Sequence, residues 1–125
     1  MKVTQEQLNA PLFSITGESF DFKKDVPLTM RHVFIETILF KDEGRSGQER
    51  LNGVKVAEKI NTQMGELDLE EAEVKLIEDR MDKSPILTNN DYLYTLVQRF
   101  FHPPAAPALL EEDDILDEFE DAPEG

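Results

Sequence analysis

After Arg99 the chain carries no lysine or arginine, yet nine acidic residues fall between Glu111 and Glu124. The charge is therefore concentrated in the last fifth of the chain. Residues 1–99 hold 13 basic and 18 acidic side chains, a net of −5, and the remaining −9 of the total −14 sits in the tail. The body is a mildly acidic domain, and 125 residues leave room for one such domain only. With 39% apolar residues, a small core is expected.

A purely solvating tail has no need of Leu116 or Phe119. Leu109, Leu110, Glu111, Glu112, Asp113, Asp114, Ile115, Leu116, Asp117, Glu118, Phe119, Glu120 and Asp121 form a strongly negative segment with apolar side chains set at intervals. Charge steers an encounter and a few buried side chains hold it, so this segment is the candidate partner-binding site. Its apolar set, Leu110, Ile115 and Phe119 with Leu109 and Leu116, suits an amphipathic helix formed on binding. The alternatives are a solubilising tail and a last helix folded back on the body. Spaced carboxylates also imitate a phosphate backbone, which would let the segment occupy a DNA-binding cleft as a DNA mimic.

The partner implied is a protein with a basic or DNA-binding surface. Direct binding to nucleic acid or to anionic lipid is disfavoured by the charge of both parts of the chain. No cysteine is present, which removes disulfides, thiol catalysis and thiolate metal sites and suits a reducing cytoplasm. No apolar run nears the roughly 18 residues of a membrane span, and no signal-peptide pattern opens the chain. The expected location is the cytoplasm. The oligomeric state leaves no mark in the sequence.

Local signals place the elements. Leu12–Thr16 and Ser19–Phe22 flank Gly17-Glu18 and predict a β-hairpin that packs Phe13, Ile15, Phe20 and Phe22 onto helices. Thr29 caps a first helix bearing Met30, Val33, Phe34, Thr37 and Ile38, which ends before Gly44. Ser46-Gly47-Gln48-Glu49 is a capping box opening a helix with Leu51, Val54, Ala57 and Ile60 on one face. Asp68 caps a third helix with Leu67 as staple; its apolar stripe runs over Leu69, Ala72, Leu76, Val74, Ile77 and Met81, and Glu71 pairs with Lys75 outside. A fourth helix, about 90–101, carries Tyr92, Leu93, Leu96, Val97, Phe100 and Phe101, forms the centre of the core and stops at His102-Pro103-Pro104. The fold class is mainly α: a small bundle of about four helices with an N-terminal hairpin (1–102), a stiff Pro/Ala linker (103–108), and the acidic amphipathic tail (109–125).

Other candidate sites are weak. Arg45, Arg50, Lys55 and Lys59 form a basic strip that reads as a solvated helix face; the alternative is a surface that the acidic tail touches in cis. His32 and His102 are the only histidines and lack zinc-ligand spacing, so structural roles at helix ends are expected. The tail carboxylates attract Ca²⁺ or Mg²⁺ weakly, with no loop to make a specific site, so no cofactor is expected. Ser14, Ser19, Ser46 and Ser84 lack a catalytic signature and no glycine-rich phosphate loop exists, so the chain is not expected to be an enzyme. Of Tyr92, Tyr94, Phe100 and Phe101, three should pack in the core and Tyr94 should face solvent.

The order of segments is familiar. Pro27-Leu28-Thr29-Met30-Arg31-His32-Val33, Ser46–Arg50, Lys55–Ile60, Leu67–Glu73 and Leu76–Lys83 together resemble small accessory proteins of tailed bacteriophages over residues 12–101. The resemblance implies a viral origin, a host-cytoplasmic location and a non-enzymatic role, and it carries no catalytic residues. The leading expectation is an accessory protein that binds a partner through its acidic segment and modulates a nucleic-acid enzyme. The alternatives are a morphogenesis factor, either a tail-assembly chaperone or a scaffold-like protein, and a structural virion component.

Overall fold

The computed structural model describes residues 1–42 and 44–104; the acidic segment and most of the linker lie outside them. The described chain is mainly helical: β1 (Lys2–Val3), α1 (Gln5–Asn9), β2 (Asp21–Lys23), β3 (Val26–Pro27), α2 (Met30–Leu39), α3 (Gly47–Thr62), β4 (Leu67–Asp68), α4 (Glu71–Met81), α5 (Pro85–Thr88) and α6 (Asp91–Phe101). Among the described residues six helices stand where about four were expected. The additions, α1 and α5, are the shortest.

Helix α2 occupies the centre. It packs against α1, α3, α4 and α5 and buries Met30, Val33, Phe34, Thr37 and Ile38. Phe34 is fully buried and receives Phe101 in a stack at 5.3 Å and Phe100 edge-on at 5.5 Å. The aromatic α6 therefore covers the core rather than forming its centre, because its own Phe100 and Phe101 remain half-buried. On α6, Tyr94, Phe100 and Phe101 pack against the core and Tyr92 does not. The expectation for Tyr94 is overturned: it lies seven residues from Phe101 on the same helical face, and its hydroxyl donates to Asp82 Oδ1 at 2.7 Å.

The N-terminal residues hold more structure than their polarity suggests. Thr4 and Gln7 close a capping box over α1, and Val3 and Leu8 stand at the positions of a hydrophobic staple; both are fully buried. β1 pairs antiparallel with β4, Val3 opposite Leu67. This pairing takes Leu67-Asp68 out of the helix start, so Glu70, not Asp68, is the N-cap of α4, with Glu73 Oε1 accepting from the Glu70 amide at 2.8 Å. Glu73 also meets Lys59 at 2.7 Å, while the expected Glu71–Lys75 pair does not form.

The expected hairpin is present but displaced. A tight turn with Gly17 at φ +91° joins Ser14 to Glu18 (N···O 2.7 Å), yet only one bridge, Phe13 to Ser19, flanks it. Regular pairing comes one turn later, β2 with β3, around Asp25 at φ 62°. Backbone bonds link Phe20 N to Leu12 O, Leu12 N to Leu28 O and Leu28 N to Phe20 O at 2.8–2.9 Å, turning Leu28 fully inward and Leu12 and Phe20 partly so. With Leu12 facing in, alternation sends Phe13 and Ile15 outward, where they are 52% and 78% exposed. A register irregularity between Asp21 and Lys23 turns Phe22 out as well, and it stacks on the His32 ring at 4.2 Å. Of the four expected to pack inward, Phe20 alone does.

Candidate functional site

The α2–α3 corner gathers the strongest side-chain chemistry of the described residues. Phe40 caps the end of α2, its N–H bonding Glu36 O at 3.1 Å. In the loop that follows, Asp42 Oδ1 accepts from Gly44 N at 3.0 Å, and that bond, aided by Lys83 and Arg45 nearby, holds the Asp42 carboxyl below its usual range. Ser46 then opens α3: its Oγ accepts from Glu49 N at 3.2 Å and Glu49 Oε1 accepts from Ser46 N at 2.8 Å, which depresses the Glu49 pKa.

Three arginines converge on this corner. Arg45 lies over the Phe40 ring at 4.4 Å and donates to Phe40 O at 3.0 Å. Arg50 donates to Arg45 O at 2.9 Å. Arg80 arrives from α4, is only 7% exposed, and donates to Ile38 O at 2.6 Å and Glu49 O at 2.7 Å. It thereby ties the last turn of α2 to the first of α3. Burial lowers the Arg80 pKa, although a guanidinium keeps its charge in a protein.

Two clefts flank these arginines. The one on the α4 side, about 410 Å³, sets Lys75, Lys83, Arg45 and Arg80 against Asp42, Glu49 and Asp79, so its charges nearly cancel. The one on the α2–α3 side, about 340 Å³, is lined by Ile38, Leu39, Phe40 and Val54 and rimmed by Lys41, Arg45, Arg50 and Arg80 with Asp42 as the carboxylate among the described residues. Apolar walls below a cationic rim accept a chain bearing both carboxylates and aliphatic or aromatic side chains.

Known protein families, curated proteins and solved structures were all compared with the chain, and none matches.

The expected partner-binding residues, Leu109 to Asp121, lie outside the described residues. The expected basic strip separates: Arg45 and Arg50 reach the cleft, Lys55 is exposed on α3, and Lys59 pairs with Glu73. Leu51 and Val54, expected in the core, are 49% and 42% exposed; the buried face of α3 is Gly53, Val56, Ala57 and Ile60, because Arg80 takes the space over Gly53. His32 completes the Thr29 cap, its Nδ1 accepting from Thr29 N at 3.1 Å. Burial first, then Arg31, lowers its pKa. His102 caps α6 and bonds Glu78. Ser46 is a cap, Ser14 holds the Gly17 turn, and Ser84 accepts from Thr37 Oγ1 at 3.3 Å in the core. Among the described residues no three His, Asp or Glu stand where they could hold a metal ion, and no helix is long and apolar enough to cross a membrane.

Sequence reasoning missed Arg80 and Leu39. Arg80 had a signal: it lies three residues after Ile77 and four after Leu76, on the apolar stripe of α4. Gly53 was the second signal, since a mid-helix glycine costs about 1 kcal/mol against alanine and points to a close approach.

Proposed function

We propose that this chain is a non-enzymatic accessory protein of a tailed bacteriophage that binds a protein partner through residues 109–121 and modulates a nucleic-acid enzyme. The observation that carries this reading is the segregation of charge: −9 after Arg99 against −5 in all that precedes it, with Leu116 and Phe119 set among the carboxylates. A basic or DNA-binding surface supplies the complement for both features. The body serves as the mount. α6 ends at Phe101 against Phe34, and Pro103 and Pro104 beyond it are exposed.

A pull-down from infected cells tests the reading, using the full chain, the chain ending at Ala106 and the full chain with Leu116→Ser and Phe119→Ser. The expected result is an enzyme that acts on nucleic acid, captured by the full chain alone and lost at moderate salt. Equal capture by all three would place the function on the helical body. Capture of a virion structural protein would favour the morphogenesis reading instead.

A further inference from the structure

Leu39, Leu51 and Val54 are 48%, 49% and 42% exposed on neighbouring parts of α2 and α3. Leu39 and Val54 line the 340 Å³ cleft below Lys41, Arg45, Arg50 and Arg80. Four cations and one carboxylate line it among the described residues. Arg80 is buried and Arg45 pairs with Asp42 at 3.8 Å, so Lys41 and Arg50 are its exposed charges, on a body that is otherwise net acidic. Arg45 and Arg80 spend donors on backbone carbonyls, whereas Lys41 makes no ion pair among the described residues and Arg50 gives one bond, to Arg45 O. The cleft thus offers charge and apolar surface together. The 410 Å³ cleft beside it does not, because its cations face nearly as many carboxylates.

The complementary chemistry exists within the chain. Residues 109–121 hold eight carboxylates with Leu109, Leu110, Ile115, Leu116 and Phe119 among them. Ile115 and Phe119 stand four apart and Leu116 and Phe119 three apart, spacings that put them side by side on a helix. Repulsion from the rest of the acidic body narrows the places where such a segment can settle. Reach is ample. Phe101 stacks on Phe34, and Ile38, at the cleft, is one turn farther along α2, about 6 Å of rise. His102 bonds Glu78, and Pro104 is the last described residue. The eleven residues 105–115 that precede Leu116 extend up to roughly 38 Å, enough to round the helix as well.

We infer that residues 109–121 fold back in cis onto the cleft between the end of α2 and α3, setting Leu116 and Phe119 on Leu39 and Val54 and their carboxylates on Lys41 and Arg50. The contact is autoinhibitory: it covers the apolar residues that a partner would bind until a stronger basic surface displaces the segment. Only that consequence rests on the proposed partner-binding role; the contact itself stands without it.

The absence of cysteine makes a single spin label clean. The full chain carrying Ala122→Cys with a nitroxide is compared with its reduced form by amide spectra, at low protein concentration and no partner. The expected result is loss of most of the peak intensity at Leu39, Leu51 and Val54 at low salt, recovered at moderate salt. It is also recovered with Leu116→Ser and Phe119→Ser, which leave the body untouched, and with the exposed pair Lys41→Glu and Arg50→Glu. Unchanged intensities at the cleft, or losses centred elsewhere, overturn the inference. So does broadening that appears only between labelled and unlabelled chains, which would make the occupant a second copy. Because no partner is present, failure here is distinct from failure of the pull-down.

Discussion

The guanidinium of Arg80 lies where a side chain on Gly53 would begin. A β-carbon built at Gly53 would stand 2.1 Å from Arg80 Nη1, 3.1 Å from its Cζ and 3.2 Å from Ile38 Cγ2. The glycine makes the passage through which one buried cation joins three helices, and Arg80 cannot slide aside without giving up Ile38 O and Glu49 O.

Gly53→Ala should therefore destabilise the fold by about 1–3 kcal/mol, as overpacking does, although alanine alone favours a helix by about 1 kcal/mol. Arg80→Ala should cost about 2 kcal/mol by orphaning two carbonyls. Combined, the two should cost clearly less than their sum, since the second change removes the clash of the first. Thermal unfolding followed by circular dichroism measures all three; a higher Tm for Gly53→Ala alone would refute the packing.

A sharp contrast is expected between Leu8 and Ile15. Leu8 is fully buried on a helix of five residues, and Ile15 is 78% exposed. Leu8→Ala should cost about 2–4 kcal/mol, while Ile15→Ala should stay within about 0.5 kcal/mol of wild type. Urea midpoints at constant m-value decide it, and a large loss at Ile15 would return the first hairpin to the core.

Stability should fall as pH drops through the histidine range. His32 Nδ1 accepts the Thr29 N–H, which only the neutral ring can do, and burial and Arg31 lower the folded pKa below 6.5. Between that folded value and 6.5 the unfolded chain binds a proton that the folded chain does not, so unfolding becomes easier as pH falls. Above 6.5 the contribution is complete. His32→Gln keeps an acceptor at the third helical position and should flatten this part of the profile between about pH 7 and pH 5. An unchanged slope in the variant would exclude His32 as its source. The lowered Asp42 and Glu49 pKa values act in the acid range below it.

Arg31 holds α1 to the body. Its guanidinium donates to Gln5 Oε1 at 2.5 Å, to Asn9 Oδ1 at 3.1 Å and to Ile60 O. Arg31→Ala should lower global stability by about 1–2 kcal/mol. It should also speed amide exchange in α1 more than in α2, because local opening draws on local contacts. Equal acceleration in the two helices would argue against that role.

What could be read early was local. Thr29 and Ser46 announce α2 and α3 because a cap needs only its own residue and the next three. The same logic was available at Thr4-Gln7 with Val3 and Leu8, and a polar run of residues concealed it. α5 is four residues started by Pro85, too short for a periodic signal. Asp68 had the residue type of a cap, and pairing with Lys2 sixty-six positions away took it for a strand instead.

By itself the sequence determined a mainly helical body in the residues before Arg99 and, after it, nine acidic residues with no basic one. It determined the starts of α2, α3 and α6 at Thr29, Ser46 and Asn90, each a short-range event. Only the tertiary structure decided which apolar residues are left in water. The backbone bond from Leu12 to Leu28 and the insertion of Arg80 over Gly53 are contacts between separated positions. They turn Phe13, Ile15, Leu51 and Val54 outward although each carries the residue type of a core. Facing is set by what occupies the other side, and that is known only when the chain has folded.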